Sequence, residues 1–327
     1  MKKLLYVSLA LASSQSLAIE NGTSADWSAF TDLVKNDCTG TVIAKKHVLT
    51  AAHCSHTGKP IEFHDGTSRT VSYNDHPNFV LVNGSNFDVS VWTLNTPFET
   101  AKIRFFANLG TQSINDKDLL NVYGFASGSL QHAQQEVDRS YNTNNPNSTL
   151  VSLKDIGKGY TQSGDSGSPW LNGNGDIVGV LRGGLQTTST MTDLHYSKDF
   201  LLDTINGWHY PGLATTTSGK ATITVQSIHK NSVTDQAYSS GDVQITGGSC
   251  LSMSVINAFE KCTYEVESQG GEGKLYLSGS EYITINKVKT TNKPDSDSGS
   301  SGGSSGGSVG LLGLLLLGVG AARRKRN

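Results

Sequence analysis

Short runs of apolar and polar residues fill the middle of the chain, and most of them alternate with a period of two. Residues 88–94 alternate in this way and then meet Asn95-Thr96-Pro97, a pattern that predicts a half-buried strand stopped by a turn. The β-branched runs at 41–44 and 47–50, separated by Lys45-Lys46, predict a hairpin. Residues 119–125, 149–153 and 176–181 repeat the motif between clusters of Gly, Asn and Ser. One stretch departs from it: 198–208 places apolar residues near helical spacing, with Pro211 and Gly212 beyond, and predicts a helix. Alternation resumes at 221–225, 242–246, 262–266, 274–277 and 282–288. So many short strands predict an all-β chain, with antiparallel barrels first and a small immunoglobulin-like β-sandwich over 220–290. The Thr/Ser/Gly stretch at 213–219 is the expected linker between them.

The two ends follow other patterns. Met1-Lys2-Lys3, an apolar run over 4–12 and Ser16-Leu17-Ala18 predict a signal peptide over 1–18 and export. Residues 291–308, rich in Gly and Ser, predict a flexible tether. The apolar run 309–322 and Arg323-Arg324-Lys325-Arg326 predict a sorting signal or membrane anchor over 309–327, its positive end cytoplasmic. Composition adds two constraints. A formal net charge of −2 over 327 residues provides no basic field for a nucleic-acid partner. Four cysteines in an exported chain imply oxidation. Of three possible connectivities, Cys38 with Cys54 and Cys250 with Cys262 keeps each bridge inside one domain. Neither pair has the close spacing of a zinc knuckle, so no metal is expected, and no cofactor.

The candidate chemistry lies in Thr50-Ala51-Ala52-His53-Cys54 and Gly164-Asp165-Ser166-Gly167-Ser168-Pro169. A serine hydroxyl is a poor nucleophile unless a base takes its proton and a third group orients that base. His53 is the candidate base, Ser166 the nucleophile and Asp88, opening the period-two strand, the orienting carboxylate, with Asp75 as its substitute. The Cys38–Cys54 bridge would sit beside His53 and help fix it.

These motifs, with Phe87-Asp88-Val89-Ser90-Val91 and the order His, Asp, Ser, resemble the chymotrypsin/trypsin-like serine proteases over about residues 19–210. The resemblance implies a double antiparallel β-barrel with a C-terminal helix over 19–212, a polypeptide substrate, and an oxyanion hole from the N–H groups of Gly164 and Ser166. Cleavage after Ala18 would expose Ile19-Glu20-Asn21-Gly22, similar to the Ile-Val-Gly-Gly start of mature family members. The freed Ile19 ammonium would then pair with Asp165, and signal peptidase itself would generate the active N-terminus. The tail resembles the GlyGly-CTERM signal of Gram-negative bacteria. That resemblance implies transient inner-membrane anchoring, cutting by a rhomboid-type protease and delivery to the cell surface or medium.

At the specificity pocket the chain departs from trypsin. Tyr160 stands where trypsin has Asp, the pocket disulfide is absent, and Arg182-Gly183-Gly184 replaces the Ser-Trp-Gly wall, so cleavage after Arg or Lys is not supported. These departures, with Gly167-Ser168-Pro169, lean towards bacterial glutamyl endopeptidases, but Leu181 falls at their glutamate-reading histidine. Only Thr161 and Arg182 remain to favour an acidic side chain, and Arg182 also reads as a structural cation. Two other classes stay open: a binding or adhesion protein on an inactive protease scaffold, and an esterase.

Overall fold

The computed structural model describes residues 19–81, 86–139 and 149–288. The expected signal peptide at 1–18 and the tail beyond 288 lie outside the described residues. The first part of the fold is built from short strands: β1 (Thr23–Ser24), β2 (Leu33–Lys35), β3 (Thr39–Ile43), β4 (His47–Thr50), β5 (Ile61–Glu62), β6 (Ser68–Arg69), β7 (Val71–Ser72) and β8 (Ser90–Leu94). Apart from β1 they form one sheet in the order β6-β5-β2-β3-β4-β8-β7. Its two edge strands are separated in sequence by Thr70 alone, so the sheet curls until its edges meet. Fully buried Val42, Val48, Leu49, Ile61, Phe63 and Val91 fill the interior, and their burial is the main stabilising contribution of this half. The hairpin expected around Lys45-Lys46 is β3 and β4, with Val42 opposite Val48.

β9 (Leu119–Gly124), β10 (Gln131–Asp138), β11 (Leu150–Asp155), β12 (Pro169–Leu171), β13 (Ile177–Leu185) and β14 (Thr188–Asp193) form a second sheet. Pairing of β9 with both β10 and β12 closes it into a six-stranded antiparallel barrel. A core of Leu120, Val122, Ala133, Val151, Leu153 and Trp170 fills it, and Ile19 is buried in the same cluster. α1 (Lys198–Ile205) follows, ending at Asn206 in the left-handed region with φ 39°.

The last strands are β15 (Gly207–His209), β16 (Leu213–Ala214), β17 (Lys220–Ile228), β18 (Tyr238–Gly241), β19 (Gln244–Gly247), β20 (Lys261–Glu267), β21 (Gly273–Tyr276) and β22 (Tyr282–Ile285). They make two four-stranded sheets, β15-β17-β20-β19 and β16-β22-β21-β18. Both sheets contribute to one apolar core, which holds Trp208, Ile223, Tyr264, Leu275 and Ile283, and the Cys250–Cys262 disulfide lies in it.

Two expected boundaries are corrected. Trp208, expected in the helix, lies in β15, because Asn206 turns the chain and the indole buries in the sandwich core. Residues 213–219, expected as a linker, begin with β16, which pairs in parallel with β22. The sandwich therefore starts at Gly207. The described residues of barrels and sandwich cluster as one compact body. Ile228 and Phe259 join the apolar cluster that links the first barrel's core with Phe106, Ile177, Val180 and Leu201. Buried polar groups complete the junction. Gln226 exchanges hydrogen bonds with the backbone of Phe106 and donates to the Phe259 carbonyl. His209 Nδ1 accepts from Ala44 N–H at 3.0 Å. Its proton is therefore on Nε2, which donates to the Arg104 carbonyl at 2.7 Å.

Among the described residues no helix is long and apolar enough to cross a membrane; the expected anchor is not among them.

Candidate active site

Antiparallel register brings the candidate base and the candidate carboxylate together. Thr50 at the end of β4 pairs with Ser90 at the start of β8. His53, three residues after Thr50, and Asp88, two before Ser90, must therefore emerge at the same end of the sheet. His53 occupies a single 3-10 turn, Ala52–Cys54, and Cys54 is bonded to Cys38 immediately before β3. Asp88 is set by its neighbours: Phe87 adopts φ 58°, stacks on His76 and donates its N–H to Thr149 Oγ1 at 3.0 Å.

Asp88 is 2% exposed and accepts twice from one residue. Its Oδ1 takes the His53 backbone N–H at 3.0 Å and its Oδ2 lies 2.7 Å from His53 Nδ1. A carboxylate can only accept, so Nδ1 carries the proton and Nε2 presents its lone pair outward. Asp75, the substitute carboxylate, is engaged elsewhere, by the Ser55 hydroxyl and by His56.

The nucleophile loop belongs to the second barrel but rests on the first. A Cβ on Gly167 would lie 2.0 Å from Thr50 Oγ1 and 3.1 Å from Ala51 N, and Gly167 adopts φ 84°, so space and backbone both require glycine. This contact holds Ser166 against the segment that carries His53. The Ser166 hydroxyl donates to the Arg182 carbonyl at 3.4 Å, while Arg182 Nε approaches Asp88 Oδ2 to 4.0 Å. β13 thus touches both the serine and the carboxylate.

Beneath the loop, Asp165 is fully buried and accepts from three backbone N–H groups: Ala126 at 3.0 Å, Gln162 at 2.9 Å and Ile19 at 3.3 Å. Burial pushes its carboxyl above the usual range, against the pull of these donors.

Of the expected pocket residues, Thr161 and Gly184 meet. Thr161 Oγ1 lies 2.7 Å from Ser189 Oγ, and a Cβ on Gly184 would come within 2.2 Å of Thr161 Oγ1. Ser189 carried no sequence signal, because only the barrel's register brings β14 to Thr161. Tyr160 pairs with Glu20 through an isolated bridge, and Gly183 has open space where a side chain would be. Cys38, His53 and Cys54 cluster closely enough to suggest metal ligands, but both sulfurs are consumed by the disulfide, and zinc requires thiolates.

The Trypsin family model matches residues 19–200. No curated protein matches the chain. Among solved structures, the VesB protease of Vibrio cholerae superposes with a TM-score of 0.50 at 18% identity, covering 82% of this chain and 100% of that one, a likeness of fold. With its barrel architecture and the family match over more than half its length, the chain belongs to the trypsin family and is a serine-type peptidase.

Proposed function

We propose that the protein is an exported endopeptidase that cleaves polypeptides through His53, Asp88 and Ser166. The observation that carries this reading is the 2.7 Å pairing of His53 Nδ1 with Asp88 beside a serine loop packed on Thr50 and Ala51. His53 Nε2 takes the Ser166 proton as Oγ attacks the peptide carbonyl. The Gly164 and Ser166 N–H groups stabilise the oxyanion, and the imidazolium returns its proton to the leaving amine. Water then hydrolyses the acyl-enzyme by the same route.

Activation rests on Ile19 and Asp165. Cleavage after Ala18 would convert the Ile19 amide into an ammonium beside a buried carboxylate, and breaking such a pair one-sidedly costs about 3–5 kcal/mol. Signal peptidase is the proposed activating enzyme. A rhomboid-type protease, acting on the tail after transient inner-membrane anchoring, would release the chain to the surface or medium of a Gram-negative cell. In the pocket, the neutral Thr161–Ser189 pair supplies no carboxylate for a basic side chain, and the Glu20 carboxylate beside Tyr160 is engaged by Gln162 Nε2 at 2.6 Å.

The test pairs purified mature protein with its Ser166→Ala variant against a peptide library and a fluorophosphonate probe. Cleavage and labelling by the first, and neither by the second, support the reading. Hydrolysis of small esters alone would replace it with an esterase, and no reaction at all with a binding protein. N-terminal sequencing that begins anywhere but Ile19 refutes the activation route.

A further inference from the structure

Thr39 opens β3 directly after Cys38 and is 1% exposed, and its polar groups converge on the nucleophile loop. Its N–H donates to the Ser166 carbonyl at 2.8 Å. Its hydroxyl donates to the Gly164 carbonyl at 3.3 Å and accepts from Phe125 N–H at 3.2 Å. Its own carbonyl accepts from the Thr50 hydroxyl at 2.8 Å. The hydroxyl's proton and one lone pair are both used, so its rotor is fixed from the Phe125 side and aimed at Gly164.

The two carbonyls so held flank Asp165 in sequence. Asp165 itself is anchored by Ala126, Gln162 and Ile19, which leaves the loop held from both barrels. Gly164 adopts φ 104°, a conformation that nothing in its own side chain enforces. The Gly164 carbonyl belongs to the peptide whose N–H, that of Asp165, donates to the Gln162 carbonyl at 3.1 Å. The Thr39 hydroxyl therefore holds the other side of that peptide, and with it the orientation of the two adjoining peptides, which carry the N–H groups of Gly164 and Ser166.

We propose that Thr39 is a positioning residue for the oxyanion donors, acting from the first barrel through its hydroxyl on the Gly164 carbonyl. The proposal rests on the endopeptidase reading above. Thr39→Val keeps the branched shape and puts a methyl in place of the hydroxyl, which takes the partner from both the Gly164 carbonyl and the Phe125 N–H. Its kcat is expected to fall about 10- to 100-fold, the scale on which displacement of a catalytic group costs rate, while KM stays within about twofold, because ground-state binding does not use the oxyanion donors. Affinity for a peptide boronate, which forms a tetrahedral adduct on Ser166, falls in parallel with kcat/KM. Thr39→Ser, which keeps the hydroxyl, restores both.

Wild-type kcat and boronate affinity in Thr39→Val overturn the proposal, as does an equal loss in Thr39→Ser. If the valine variant does not fold, Thr39→Ser and Thr39→Ala, which differ by the hydroxyl alone, are compared, and equal kcat values overturn it. Failure of the wild-type protein itself to cleave peptides or react with fluorophosphonate removes the underlying reading first, and is told apart by that control.

Discussion

His53 depends on Asp88 for its tautomer, and that dependence can be isolated. In Asp88→Asn an amide replaces an acceptor-only group, so the side chain can donate to Nδ1 and leave the proton on Nε2, where it blocks attack. We expect kcat to fall about 10,000-fold with the fold intact, checked by steady-state kinetics alongside circular dichroism. Gly167→Ala acts by space. Its new Cβ has the Thr39 carbonyl at 2.2 Å as well as Thr50 Oγ1, so the serine loop must leave the first barrel. Overpacking of this kind costs about 1–3 kcal/mol, and a fall in both melting temperature and fluorophosphonate labelling rate is expected. The motifs around His53 and Ser166 stand out in the sequence because they are local. Thr39 does not, because its significance lies in hydrogen bonds to residues 86 and 125 positions away.

At the scale of elements, the period-two runs of β8, β9 and β17 and the β-branched runs of β3 and β4 read directly as strands, because each carries enough apolar residues to be buried. The two-residue strands β1, β5, β6, β7 and β16 carry no such period; partners alone define them. The exit from α1 was hidden for another reason. Trp208 satisfies a helical face as well as a sandwich core, and only Asn206 decides between them. The Cys38–Cys54 bridge joins the start of β3 to the turn bearing His53 across a sequence separation of 16. A double Cys38→Ala, Cys54→Ala variant should lose about 3 kcal/mol. We also expect lower kcat from a freed His53 turn. Denaturant titration and kinetics measure the two effects separately, and unchanged values in both would refute the role given to the bridge.

Across the whole molecule, the junction between barrels and sandwich makes stability depend on acidity. Burial pushes His209 down to about 4, below the ordinary value near 6.5. The unfolded chain therefore takes up a proton at this residue first as pH falls. Its contribution to stability is fully present above pH 6.5 and is lost progressively towards pH 4, by about 3 kcal/mol in all. Protonation would also break the bond from Ala44 N–H to Nδ1. His47, likewise pushed down to about 4, acts in the same direction. Melting temperatures of wild type and His209→Gln at pH 7, 5.5 and 4.5 should converge as pH falls; parallel curves would rule His209 out. The same junction predicts that the chain cut after Asn206 is unstable, since Ile228 and Phe259 leave the apolar cluster they share with the first barrel, and limited proteolysis would detect this.

Among the described residues the six strands of the second barrel close on themselves, with only the two-residue β1 appended to β10, whereas the sandwich has four edge strands, β15, β16, β18 and β19. These strands are three, two, four and four residues long, and a register shift between Ile245 and Gly247 breaks the last. A neighbouring molecule finds no ladder long enough to extend. Crowded copies of this protein therefore resist edge-to-edge aggregation through brevity, at the very part of the fold where open sheets would otherwise invite it.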